Sequence, residues 1–117
     1  MVSWQTLREI EEFAAEQMIA HCKPPHEVIF ALAKTYPAAT GLTIAFAMTN
    51  IANSLEKPPI VTMKYALPAS AEIYRAVSLL ASDLFELHET LNISANGSDL
   101  VVHWLHSAEQ IFRDSLQ

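Results

Sequence analysis

Ile73, Val77, Leu80, Leu84, Leu87 and Leu91 recur at steps of 4, 3, 4, 3 and 4 residues. That spacing keeps one apolar stripe on one side of an α-helix and requires other helices to cover it. Shorter runs with the same period occur at Ile44, Met48, Ile51 and Leu55, and at Val101, Leu105, Ala108 and Phe112. A further stripe, Leu7, Ile10, Ala14 and Met18, lies opposite Glu9, Glu12 and Glu16. The pattern predicts an all-α, single-domain bundle of about five helices.

Proline sets the boundaries, because a helix interior does not tolerate it. Pro24-Pro25, Pro37, Pro58-Pro59 and Pro68 divide the chain. The expected helices run over Ser3–His21, Pro25–Thr35, Thr40–Glu56, Ala69–Leu91 and Asp99–Leu116. Thr6 with Glu9 reads as a capping box for the first, and Ser98 or Asp99 as the cap of the last. Residues 57–68 form a connector in which Ile60 to Tyr65 has the composition of a lone extended piece. Asn96-Gly97 marks the turn between the last two helices, which are expected to form an antiparallel hairpin.

Length and composition fit this picture. A chain of 117 residues suits one domain, 1–117, with room for a core. It is 51% hydrophobic and only 17% charged, which leaves little polar covering and argues for apolar surface set aside for a partner. The net charge of −6 disfavours phosphate backbones and anionic lipid. A helix-turn-helix reading of the second and third helices fails for the same reason. The would-be recognition segment, Leu42 to Asn53, has no Arg or Lys to hold phosphate or read guanine. Neither nucleic acid nor membrane is an expected partner. A single cysteine, Cys22, excludes an intramolecular disulfide. No signal peptide is evident at the N-terminus, so the expected location is cytoplasmic. The sequons at Asn92 and Asn96 are then without consequence.

Candidate chemistry is thin. The only glycines, Gly41 and Gly97, form no phosphate-cradling loop. Cys22 ends the first helix, where the dipole opposes a thiolate, so it reads as structural. Glu86 and Glu89 read as solvated charge. His103 and His106, three apart, suggest ligands on one helix. On a helical wheel, however, they lie opposite Val101, Leu105, Ala108 and Phe112 and are expected to face solvent. His88 flanks the seam of the fourth helix, and the residue three before it is Phe85 rather than the Glu that a ferritin-like Glu-x-x-His pair requires. No cofactor, catalytic residue or metal ligand is assigned. The competing reading is a His/carboxylate metal protein or enzyme using His88, His103 and His106.

The remaining signal is surplus apolar bulk. Leu42 and Phe46 lie off the seam of the third helix, and Tyr74, Leu79 and Phe85 off that of the fourth. These five are the expected interaction surface. The sequence therefore reads as a small non-enzymatic interaction or regulatory module whose partners are a second copy of itself and an unidentified protein. A further alternative is a carrier of an apolar small ligand, held between the third and fourth helices by Phe46, Met48 and Phe85.

Overall fold

The computed structural model describes residues 4–56 and 70–106. These form five helices: α1 (Trp4–Ile19), α2 (Pro25–Thr35), α3 (Gly41–Glu56), α4 (Ser70–Leu91) and α5 (Gly97–His106). The all-α architecture is the one the hydrophobic period predicts. The connector at 57–68, with Ile60 to Tyr65, lies outside the described residues, as do Ala108 and Phe112. No helix among the described residues is long and apolar enough to cross a membrane.

Helix α1 buries Leu7, Ile10, Ala14 and Met18, the predicted stripe. Thr6 lies within α1 rather than at its cap. The helix ends at a left-handed residue, Cys22, with φ 52°. The amide of Lys23 then donates back to the Gln17 carbonyl at 3.1 Å, one residue wider than the closing bond of a Schellman turn. Pro25 opens α2 at a position where a missing N–H costs nothing. Val28, Ile29, Leu32 and Ala33 of α2 are fully buried, so this short helix is the centre of the packing. It touches all four of the others.

Helices α3 and α4 form the most extensive helix pair and run antiparallel. At one end Gly41 lies against Leu84, where a β-carbon would fall 2.2 Å from Leu84 Cδ2. At the other, the Tyr74 hydroxyl donates to Asn53 Oδ1. Ile44, Ala47, Met48 and Ala52 of α3 are fully buried, so its predicted seam is correct at its start. Ile51 and Leu55, further along, are partly buried and pack against the core. Asn50 Nδ2 donates to Glu11 Oε1 at 3.1 Å and ties α3 to α1.

The seam of α4 is rotated from the predicted one. Its buried line is Ile73, Ala76, Leu80, Asp83 and Leu87. Val77 and Leu84 are partly buried, and Leu91 is exposed. The line holds one charged residue, Asp83, whose position among apolar neighbours determines the chemistry described below.

The starts of α3 and α5 are fastened together. Thr40 Oγ1 accepts from the Thr43 amide at 3.1 Å and caps α3. Asn96 caps α5: its Oδ1 accepts from the Asp99 amide at 2.9 Å, while Asp99 Oδ2 accepts from the Asn96 amide at 3.1 Å. This is a reciprocal capping box, centred two to three residues before the expected cap at Ser98 or Asp99. Two amides that a helix start leaves without internal partners also cross over. Gly41 N donates to the Ala95 carbonyl and Gly97 N to the Ala39 carbonyl, both at 2.8 Å. A β-carbon on Gly97 would lie 2.5 Å from the Ala33 oxygen and 2.7 Å from that of Tyr36. Glycine is required here because the backbone of α5 rests on the end of α2.

That contact fixes the phase of α5. Leu100 and Trp104 are fully buried, whereas Leu105 is half-exposed. The predicted seam through Val101 and Leu105 is therefore turned away from its proper side, and only Val101 packs against the core. The rotation brings His103 inward.

Candidate functional site

Two regions on opposite flanks of α4 are candidates. The first is apolar and faces outward along α3 and α4. Leu42, Phe46, Thr49 and Asn53 follow one another at 4, 3 and 4 residues along α3. Tyr74, Ser78, Ala81 and Phe85 do the same along α4. Such spacing places each set on one side of its helix. The antiparallel register puts Leu42 and Phe85 at one end and Asn53 and Tyr74 at the other. Leu42 is 70% exposed, Phe46 49% and Phe85 66%. Leu42 and Phe85 also line a cleft of about 470 Å³ with Ala81, Leu84, His88 and Ile93.

Four of the five expected surface residues thus belong to one face, although Tyr74 is partly buried and hydrogen-bonded. Leu79 does not. It is partly buried and lines a separate recess with Pro24, Pro25 and Arg75. Met48, expected to line an apolar pocket, is fully buried in the core instead. Phe46 does not border the cleft either, and only Phe85 of that expected trio does.

The second region is polar and lies where side chains of α5 reach α4; α5 itself packs chiefly on α2, so the close α4–α5 hairpin expected from the short loop is not the main contact of α5. Asp83 is 4% exposed. Burial of a carboxylate is costly unless donors reach it, and Trp104 supplies one: its indole Nε1 donates to Asp83 Oδ2 at 2.9 Å. The Trp104 ring in turn packs on Phe30 of α2, with centroids 5.8 Å apart. Asp83 Oδ1 is turned to His103, whose Nε2 lies 3.7 Å away. The same Nε2 is 3.8 Å from Glu86 Oε2.

These separations are close enough for attraction between charges, but longer than the 2.7–3.2 Å or so of a hydrogen bond. Among the described residues His103 Nε2 therefore has no hydrogen-bond partner, and it is shielded from solvent. Of the three histidines weighed as ligands, only His103 joins the cluster; His88 and His106 are exposed. The expectation that His103 faces solvent is corrected by the rotated phase of α5. Glu86 is itself largely exposed, as expected, but its carboxylate lies over His103 rather than standing alone.

Asp83 is the residue that sequence reasoning missed. The signal was present: Asp83 falls on the line Ile73, Ala76, Leu80, Leu87, an acid at a position whose neighbours one and two turns away are apolar. Cys22 is exposed at the end of α1, where its backbone role is the turn itself. No protein-family model, curated protein or solved structure matches this chain.

Proposed function

We propose that this chain is a cytosolic, non-enzymatic interaction module that pairs with a second copy of itself through the outer face of α3 and α4. The observation that carries this reading is the exposure of Leu42, Phe46 and Phe85 on one continuous face. A soluble monomer seldom leaves such bulk uncovered in one patch. A two-fold interface uses each residue twice, so a modest patch suffices.

Magnitudes favour a reversible dimer rather than a permanent one. Covering the exposed parts of these side chains on both copies gains roughly 5–11 kcal/mol, at about 1.5–3 kcal/mol per fully buried large apolar side chain. Association costs about 4–15 kcal/mol in lost freedom. At its most favourable the balance is about −7 kcal/mol, a dissociation constant on the order of 10 μM, so the complex is expected to be weak and reversible. The excess of acids over bases opposes nucleic acid and anionic lipid as partners. Sedimentation of the wild type against Phe85→Asp tests the reading.

The second reading, an apolar-ligand carrier, draws on the cleft lined by Leu42, Leu84, Phe85 and Ile93. Mass spectrometry of the undenatured protein distinguishes the two, because a carrier retains a small molecule and an interaction module does not.

A further inference from the structure

We infer that Asp83, Glu86 and His103 form a binding site for one divalent first-row transition ion, at the crossing of α4 and α5. Three independent features of the cluster lead to it.

The first is the ligand set. One imidazole nitrogen and two carboxylate oxygens lie within 4.8 Å of one another, and no other set of three His, Cys, Asp or Glu side chains among the described residues does so. Imidazole and carboxylate together suit zinc and its neighbours in the first row.

The second is the spacing. Nε2 of His103 is 3.7 Å from Asp83 and 3.8 Å from Glu86. Two ligands held by one ion at about 2.0–2.2 Å each stand about 3.3–3.6 Å apart at a tetrahedral angle and at most about 4.4 Å apart. Both separations fall within that span, and both are too long for a direct hydrogen bond. The separations are those of groups that one ion can bridge. Among the described residues His103 Nε2 has no hydrogen-bond partner, and it is shielded from solvent. A buried polar atom in that condition calls for an explanation, and an ion supplies one.

The third is the support behind the ligands. Trp104 donates to Oδ2 of Asp83 and so holds Oδ1 towards His103. Ligating carboxylates in metal sites are oriented by such outer hydrogen bonds. Asp83 and Glu86 are i and i+3 on α4, neighbours on one rigid helix face. Glu86, the exposed member, is free to swing in as the ion arrives and completes a site with three protein ligands. A fourth position is left for water, as in open zinc sites. The site is on the opposite flank of α4 from the apolar face and stands or falls independently of the dimer.

The test uses the full chain, stripped with a chelator and titrated with zinc by calorimetry, then with cobalt to record its ligand-field absorption. The expected result is a single saturable equivalent at micromolar zinc, a cobalt spectrum of low coordination number, and a rise in melting temperature with zinc. Glu86→Gln, an exposed change that leaves the fold intact, is expected to weaken binding at least about tenfold, the loss brought even by removal of outer-shell partners. His103→Ala is expected to abolish it, with circular dichroism checking that the helices persist. His88→Ala, on an exposed histidine outside the cluster, is expected to change nothing. Absence of saturable binding overturns the inference. So does binding that survives Glu86→Gln unchanged, because the ion then sits elsewhere.

Discussion

The two flanks of α4 treat their residues in opposite ways. Towards α5, the helix buries a carboxylate, Asp83, among apolar neighbours. Towards the outer side of α3, it leaves an aromatic ring, Phe85, two-thirds exposed. The two positions are two residues apart and face away from each other, at about 100° per residue. The ordinary arrangement, apolar inside and charged outside, is inverted on both. An inversion of this kind has a cost, and the structure shows how each is handled. At Asp83 the Trp104 indole offsets the loss of water. At Phe85 nothing within the described residues covers the ring, and a partner copy is the covering that we propose. Asp83 is thus given a donor by the chain's own fold, whereas Phe85 is left uncovered by the described residues.

The largest expected effect comes from breaking the closed flank. Trp104→Ala removes a fully buried ring and the donor to Asp83 together. A loss of about 3–5 kcal/mol is expected in urea unfolding followed by circular dichroism. A loss below about 1 kcal/mol would mean that α5 is not docked through this residue.

Smaller effects separate the two glycines that lie at the ends of these flanks. Gly97→Ala drives a methyl into the Ala33 and Tyr36 carbonyls, which are backbone and cannot rotate away. Gly41→Ala meets only the end of the Leu84 side chain, which can turn towards the cleft. Overpacking costs about 1–3 kcal/mol, so Gly97→Ala is expected at or above the top of that range and Gly41→Ala near the bottom. Equal losses would show that the fastening of α5 onto α2 is no tighter than the α3–α4 contact.

A third effect, smaller again, lies off both flanks and serves as their control. Burial, with a further push from the Glu9 carboxylate, raises the Tyr36 phenol above its ordinary 10.0. The folded chain therefore holds this proton more tightly than the unfolded one does. The stability so contributed is complete below the ordinary value and is lost as pH rises through the raised one. Chemical unfolding at alkaline pH should show a steeper fall for wild type than for Tyr36→Phe. Phe85→Asp should leave that difference unchanged.

How far the sequence could be read depended on which residue types formed each interface. In α1 the stripe Leu7, Ile10, Ala14 and Met18 has acids behind it, and the burial follows the pattern without exception. Only one helical phase buries that stripe, and Trp4 and Ile19, which lie off it, stay exposed. In α5 two phases compete: Val101 with Leu105, and Leu100 with Trp104. Periodicity cannot choose between them. The choice is made by Gly97, which allows α5 to lie directly on the carbonyls at the end of α2, a contact between segments more than sixty residues apart. The error at His103 followed from that phase. The sequence places Asp83 on the apolar line of α4 but does not show what would satisfy it there: its donor lies 21 residues away, on the helix whose phase periodicity leaves open. The exposed apolar face was legible in part: Leu42, Phe46 and Phe85 lie far enough from the seams of α3 and α4 to stay outside despite the rotation of the α4 seam, whereas Tyr74 and Leu79 are partly buried.

The central claim is that the open flank of α4 is covered by a second copy of the chain. Sedimentation equilibrium of wild type and Phe85→Asp across a micromolar concentration series tests it most directly. A reversible monomer–dimer equilibrium is expected for wild type, and a monomer of unchanged helical content for Phe85→Asp. A wild type that stays monomeric throughout the series, or a Phe85→Asp variant that dimerises as readily as wild type, would contradict it.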